Sequence, residues 1–135
     1  MQGYNVIWVF SPTADRVLFC KRQKEPYKGL YNLVGGKIEP DEDGFAAAYR
    51  ELREETGITA IELVHIMDFT YFQCDACRVE VYFGRLSADI KVSGDEKELT
   101  WLDVSEDFFD MNRFAGEGNI GHIYEIIKQN FDRVR

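Results

Sequence analysis

The stretch 35-GGKIEPDEDGFAAAYRELREETGI-58 decides how this chain is read. It opens on Gly35 and Gly36 and closes on Gly57 and Ile58. From about Asp43 to Thr56 the pattern is helical: Phe45, Tyr49, Leu52 and Thr56 recur at steps of four, three and four, giving one mostly apolar face. Asp41 and Asp43 are both candidates to cap the start, and Gly57 suits the left-handed exit position. On that helix Glu51, Glu54 and Glu55 stand at i, i+3 and i+4, so their side chains meet. Like charges at this spacing cost roughly 0.2–0.5 kcal/mol per pair. A divalent cation removes that penalty, and an all-oxygen ligand set suits Mg²⁺ or Mn²⁺ rather than Zn²⁺. Arg50 lies beside Glu51 and four residues before Glu54, where its fork can orient a carboxylate. The paired glycines let backbone approach a ligand with no Cβ in the way, and a carbonyl from that turn can join a metal shell. Taken alone, "RELREE" is equally a solvated helix face.

Outward from the stretch the chain reads as one domain over residues 1–135. "NVIWVF" and "RVLFCKR" are short β-rich segments separated by the turn-like "SPTAD", a hairpin pattern. "QKEPYKGLYN" is a polar loop leading into Gly35. Residues 61–72 and 78–86 read as two strands joined tightly around "QCDAC". "SADIKVSGDEK" is a loop, "LTWLDV" a further strand and "SEDFFDMNRFAGEGN" an irregular segment. "IGHIYEIIKQNF" closes as an amphipathic helix, with Ile120, Ile123, Ile127 and Phe131 on one side.

Composition bounds the function. The 135 residues are 45% apolar and 14% aromatic, enough for a globular core. A formal charge of −8 argues against a broad basic face for a nucleic-acid polymer. It leaves room for a small anion, because bound divalent metals reverse the local sign. No run of about 18 apolar residues is present, so no membrane span is expected. The start lacks a basic leader with a cleavage site, and Cys20, Cys74 and Cys77 are an odd number, which suits a reduced cytoplasmic setting.

The wider spacing removes the solvated-face reading. Gly36, five residues, Glu42, seven residues, then Arg50-Glu51-Leu52-x-Glu54-Glu55-x-Gly57-Ile58 reproduces the Nudix box without a gap. Seven specified polar or glycine positions, each met at roughly 5–7% by ordinary composition, give chance agreement near ~10⁻⁹ per starting position. The chain therefore resembles the Nudix hydrolases, tightly over residues 36–58 and loosely beyond. The resemblance implies an α/β fold, a Nudix-type α/β/α sandwich with a central mixed β-sheet.

It also implies hydrolysis of a nucleoside diphosphate linked to another group, with Mg²⁺ (or Mn²⁺) as cofactor. Carried onto this sequence, Glu51, Glu54 and Glu55 are metal ligands, with the Gly35 carbonyl beside them. Arg50 orients a glutamate, Glu42 supports the loop–helix geometry, and Glu51 or Glu54 takes the proton of the attacking water. An acidic residue from a later loop is often added in the family; Glu98 is the candidate here, with Glu96 as the alternative. Two positions depart from the usual pattern: Val34 stands where a proline is common, and Asp41 where a glycine is. Neither removes a ligand, and both bear on loop rigidity.

The substrate is read from weaker signals. "LYNLVGGKIE" and "GEGNIGHIYEII" resemble elements of the MutT-like nucleoside-triphosphate branch, which includes enzymes acting on 8-oxo-dGTP. That resemblance makes Asn32 and Asn119 candidate base readers, because an amide both donates and accepts. The alternatives are an Asn32 bonded to its own turn and an Asn119 capping the last helix. Arg22 and Lys37 are candidate phosphate contacts, and Phe72, with Tyr71 beside it, a candidate stacking ring. The expected partner is a small-molecule nucleotide, and a homodimer is compatible with the family. ADP-ribose or a nucleotide sugar is the alternative substrate, and a catalytically silent sensing module the alternative class. Zinc or redox use of Cys74-x-x-Cys77 is disfavoured, since Cys20, His65 and His122 are not in paired spacing.

Overall fold

The computed structural model describes residues 1–72, 76–92 and 98–133. In order, the strands and helices are β1 (Gln2–Phe10), β2 (Arg16–Lys21), β3 (Tyr31–Leu33), β4 (Lys37–Ile38), α1 (Gly44–Thr56), β5 (Val64–Tyr71), β6 (Cys77–Arg85), β7 (Glu98–Asp103) and α2 (Asn119–Gln129). A 3₁₀ turn, Phe131–Arg133, follows α2. The seven strands among the described residues join one sheet. β1 and β6 run parallel, in register from Gln2↔Cys77 to Phe10↔Arg85. The other strand–strand pairs among the described residues are antiparallel, so the sheet is mixed.

The period-two alternation of β1 builds both layers. Ile7 and Val9 face the side covered by α1, where Ala48, Leu52, Ile58 and Tyr82 pack with them. Trp8 and Phe10 face the other side and pack with Phe19, Phe83, Ile120, Ile123 and Ile127, the last three from α2. Helix, sheet, helix is the resulting order. No helix among the described residues is long and apolar enough to cross a membrane.

Three details differ from the expectation. The buried face of α1 is Ala47, Ala48, Leu52 and Thr56, whereas Phe45 is 40% exposed. The two alanines let the helix lie close on the sheet; Phe45, at its first turn, is left to pack edge-on against Tyr82 at 5.1 Å. Phe131 falls beyond α2 in the 3₁₀ turn, half-buried, and meets Phe10 edge-on at 5.2 Å. β3 and β4 were hidden inside an apparent loop; strands of three and two residues carry no periodicity and form only because a neighbouring strand offers partners. The connection expected around "QCDAC" lies largely outside the described residues, as does Cys74.

Candidate active site

The residues of the box meet through Arg50. From the second half of α1 its guanidinium donates in four directions. Nε and Nη2 take the two oxygens of Glu42, at 2.5 and 2.8 Å. Nη1 donates to Glu51 Oε1 and to Glu54 Oε2, each at 3.1 Å. Nη2 also donates to the Lys37 carbonyl at 3.1 Å, tying α1 to β4. Helical spacing puts Glu51 and Glu54 within reach of one fork, while Glu42 arrives from the preceding loop. That loop closes on itself: the Glu39 N–H donates to Glu42 Oε1 at 3.0 Å, and the Glu42 N–H donates to the Glu39 carbonyl at 3.0 Å. Asp43, not Asp41, caps α1, accepting from the Ala46 N–H, and Gly57 leaves the helix at φ +81°.

Gly35 and Gly36 form the floor under the glutamates. A Cβ on Gly36 would stand 2.6 Å from the carboxyl carbon of Glu51. Gly35 holds φ +146°, and a Cβ there would collide with the Asn5 carbonyl. The Gly35 N–H reaches Glu55 Oε2 at 3.4 Å. Val34, in the place of the usual proline, is fully buried, and its carbonyl accepts the Ile7 N–H at 2.8 Å. Pairing with β1 thus holds this loop where a proline ring would otherwise restrict it.

Charge is unevenly shared among these carboxylates. Burial raises the pKa of Glu51, assisted by the charges of Glu55 and Glu54 and opposed by its hydrogen bond to Arg50. Glu42 goes the other way: the Arg50 hydrogen bond, with the Glu39 N–H behind it, lowers its pKa to about 2. A carboxyl depressed in the folded state contributes stability above its unfolded value of 4.5 and loses it as pH falls through about 2. Glu42→Gln is therefore expected to flatten the acid limb between those values. Melting temperature against pH checks this; a wild-type slope in the variant would show that the Arg50–Glu42 pair contributes nothing to stability.

Among the described residues no three His, Cys, Asp or Glu side chains close into a coordination shell as they lie. The Arg50 guanidinium stands between Glu51 and Glu54, bonding both through Nη1. The donor set still fits a hard divalent cation. It is all oxygen, three carboxylates fall within five residues of one helix, and burial together with like charge presses on Glu51. Glu98 opens β7, exposed, in register with Lys21 of β2. Glu96 lies outside the described residues.

A cavity of about 540 Å³ opens on the α2 side of the sheet. Its apolar wall includes Val6, Phe69, Val79 and Ile123, and its polar groups include Arg22, Asn32 and Asn119. Three of the five proposed substrate contacts therefore converge. Arg22 Nε is buried with no hydrogen-bond partner among the described residues. Asn32 Oδ1 accepts the Leu33 N–H at 2.9 Å, so the amide is bonded to its own strand through oxygen and presents its NH₂ as a donor. Asn119 does not cap α2: Gly118 is the N-cap, with no side-chain cap bond, and the Asn119 amide instead donates to the Tyr71 hydroxyl.

The other two contacts lie elsewhere. Phe72 is 78% exposed and outside the cavity lining, where Tyr71 takes part instead. Lys37 is exposed on β4, also outside the lining. Cys77 lines the cavity as a free thiol, Cys20 is buried in the α1-side core, and His65 stacks on Tyr82 at 4.6 Å, so these three serve different places.

At the cavity rim the Tyr27 hydroxyl donates to both oxygens of Glu117, at 2.6 and 2.8 Å, joining the β2–β3 loop to the segment before α2. Burial and that bond push the Tyr27 pKa up to about 12, so it remains a donor at neutral pH. Sequence offered no signal for this clasp, whose members are ninety residues apart.

The family model for the Nudix domain matches residues 1–119. An ADP-ribose pyrophosphatase of Methanocaldococcus jannaschii is 29% identical over 97 residues, covering 67% of this chain and 56% of that protein. A CTP pyrophosphohydrolase of Escherichia coli is 59% identical over 61 residues, 44% of this chain and 45% of its own length. The chain thus spans about half the length of these curated relatives. A solved structure of MutT, from work on the Aliivibrio salmonicida and Vibrio cholerae proteins, superposes with a TM-score of 0.68 at 25% identity, over 95% of this chain and 98% of that one. With the box assembled around Arg50 and the family match running through both the box and the cavity strands, this chain belongs to the Nudix family.

Proposed function

We propose that this chain is a divalent-metal-dependent pyrophosphohydrolase that cleaves a nucleoside triphosphate to the monophosphate and pyrophosphate. The observation that carries the reading is the single guanidinium that gathers Glu42, Glu51 and Glu54 beside the glycine floor. A separate cavity with two amides, on the other face of the same strands, supports a nucleotide as the ligand. Glu51, Glu54 and Glu55, with the Gly35 carbonyl, are the groups that would hold Mg²⁺ or Mn²⁺, and Glu98 is the candidate from β7. The cation supplies charge neutralisation for the polyphosphate and activation of water.

The chain's own residues do the rest. Arg50 holds two ligand carboxylates in one orientation, so they need not reorganise during the reaction. The water oxygen bonds to phosphorus as the anhydride bond between the α- and β-phosphates breaks, and the water proton passes to a carboxylate of this cluster, Glu51 or Glu54. Arg22, its Nε unpaired, is placed to meet a phosphate or an acceptor on the base. The relatives' names offer two substrate classes, a cytidine triphosphate and ADP-ribose. The amides of Asn32 and Asn119 suit a base edge, which both substrates carry; the triphosphate stays first because the stretches that hold them, 30-LYNLVGGKIE-39 and 116-GEGNIGHIYEII-127, resemble the nucleoside-triphosphate branch.

The test is product analysis in Mg²⁺ over all (d)NTPs, 8-oxo-dGTP, ADP-ribose and nucleotide sugars. Pyrophosphate with a monophosphate supports the reading; AMP with ribose phosphate from ADP-ribose overturns the substrate and keeps the site. Tight nucleotide binding with no product favours a sensing module. Asn32→Ala removes the inward-facing donor and is expected to change the ranking of bases by about tenfold, the scale of one hydrogen bond, at unchanged metal dependence. Equal losses on every base would count against base reading by Asn32.

A further inference from the structure

Asn5 is the residue that its strand has least reason to contain. β1 is otherwise rich in apolar and aromatic residues, and Asn5 is only 2% exposed at its centre. Its Oδ1 accepts the Gly36 N–H at 3.0 Å, and its main-chain N–H donates to the Gly36 carbonyl at 2.8 Å. Both main-chain polar groups of Gly36 are therefore held by this one residue. The Asn5 carbonyl also lies against Gly35 so closely that no side chain fits there. A main-chain N–H can only donate, so Asn5 Oδ1 must face Gly36 and Nδ2 must face away. Nδ2 is buried with no hydrogen-bond partner among the described residues. Leaving a buried donor unmatched is destabilising, and an apolar residue in its place would only move that cost to the Gly36 N–H.

What Asn5 holds is the floor of the site. Gly36 stands against the Glu51 carboxylate, and the Gly35 N–H faces Glu55. Tyr4 and Val6, on either side of Asn5, point the opposite way and line the nucleotide-sized cavity. Alternate residues of one strand thus serve the two halves of the site, and Asn5 belongs to the glutamate half alone.

We propose that Asn5 is a positioning residue: by fixing the Gly35–Gly36 turn it sets where Glu51 and Glu55 stand, and through them the divalent-cation affinity and kcat. This rests on the reading that those glutamates hold the cation. Residues that orient ligands from behind are worth about 10–100-fold in metal affinity or activity.

The experiment compares Asn5→Leu and Asn5→Asp with wild type, using Mn²⁺ titration followed by electron paramagnetic resonance, steady-state kinetics and thermal melting. Asn5→Leu keeps the branched shape and removes the unmatched donor, but it also takes the acceptor from the Gly36 N–H, so its melting temperature should stay near that of wild type. It should nonetheless weaken Mn²⁺ binding and lower kcat by about tenfold or more, with nucleotide KM within about threefold. Asn5→Asp keeps an oxygen for the Gly36 N–H and should recover both to within about threefold, an outcome a merely structural role would not produce. Asn5→Ser, too short to reach Gly36, gives the same comparison if leucine prevents folding. Mn²⁺ affinity and kcat within about twofold of wild type in a folded Leu or Ser variant would overturn the proposal, as would an Asp variant no better than Leu. If wild type binds Mn²⁺ but releases pyrophosphate from no nucleotide, the proposed activity fails, and the Mn²⁺ comparison still judges Asn5.

Discussion

Glu54→Gln is expected to lower kcat by at least about 10²-fold while the protein stays folded. The substitution preserves shape and removes one charge from a group of three carboxylates within a single helical turn. Glu54 is 53% exposed and bonded to the rest of the site by one N–H of Arg50, so its contribution to stability is small. The melting temperature should therefore move little. The loss would fall on two functions at once. On the proposed reading, cation affinity would drop because a charged carboxylate oxygen becomes a neutral amide, and Arg50 Nη1 would lose one of the two carboxylates it orients. Raising Mn²⁺ should recover part of the rate and never all of it. Activity within a factor of a few of wild type at ordinary metal concentration would remove Glu54 from the site.

Gly36→Ala is expected to cost nearly as much through geometry alone. The backbone at Gly36 is not in the left-handed region, so alanine brings no torsional strain there; the effect comes from space. The added methyl would stand 2.6 Å from the Glu51 carboxyl carbon and from one of its oxygens. Glu51 cannot swing aside freely, because Arg50 binds it at 3.1 Å and Glu55 and Glu54 repel it from the other directions. A carboxylate displaced by about 1 Å in a catalytic cluster costs on the order of 10²-fold. The expected pattern is a fall in kcat of that size, weaker Mn²⁺ binding and an unchanged ranking of nucleotide bases. A Gly36→Ala enzyme with wild-type kcat would mean that Glu51 acts from a position other than the one seen here. Gly35→Ala is a different experiment: its φ of +146° and the clash with the Asn5 carbonyl make it a folding defect first.

The arrangement of the box was legible because its parts are local. Glu51, Glu54 and Glu55 share a helix, and helical spacing alone says that they meet. Arg50 with Glu42 needed only a short loop between them. The same logic failed where the partner was distant. Phe45 looked like a core position by its spacing, yet the sheet surface accepts Ala47 and Ala48 more closely and leaves the ring at the edge. For Asn119 the sequence left base reading and helix capping both open; Gly118 takes the cap position and frees the amide for Tyr71. Asn5 carried one faint signal, a polar residue in the middle of an apolar strand, and nothing in its neighbours said what it would hold.

By itself, then, the sequence determined the box with its cluster of carboxylates and the resemblance to the Nudix family that implied the α/β architecture, because the box depends only on spacing within 23 residues. Only the tertiary structure decided how the glycine floor is held, which amide atoms are spent on backbone, and which side chains share the cavity. Most of those contacts join distant residues, 31 to 90 positions apart for Asn5 with Gly36, Tyr71 with Asn119 and Tyr27 with Glu117, while the Asn32 bond to the Leu33 N–H is local. Sequence patterns describe which way a side chain points from its own element. Which partner it meets there depends on the register in which β1 packs against β4 and β6, and that register is a property of the folded sheet as a whole.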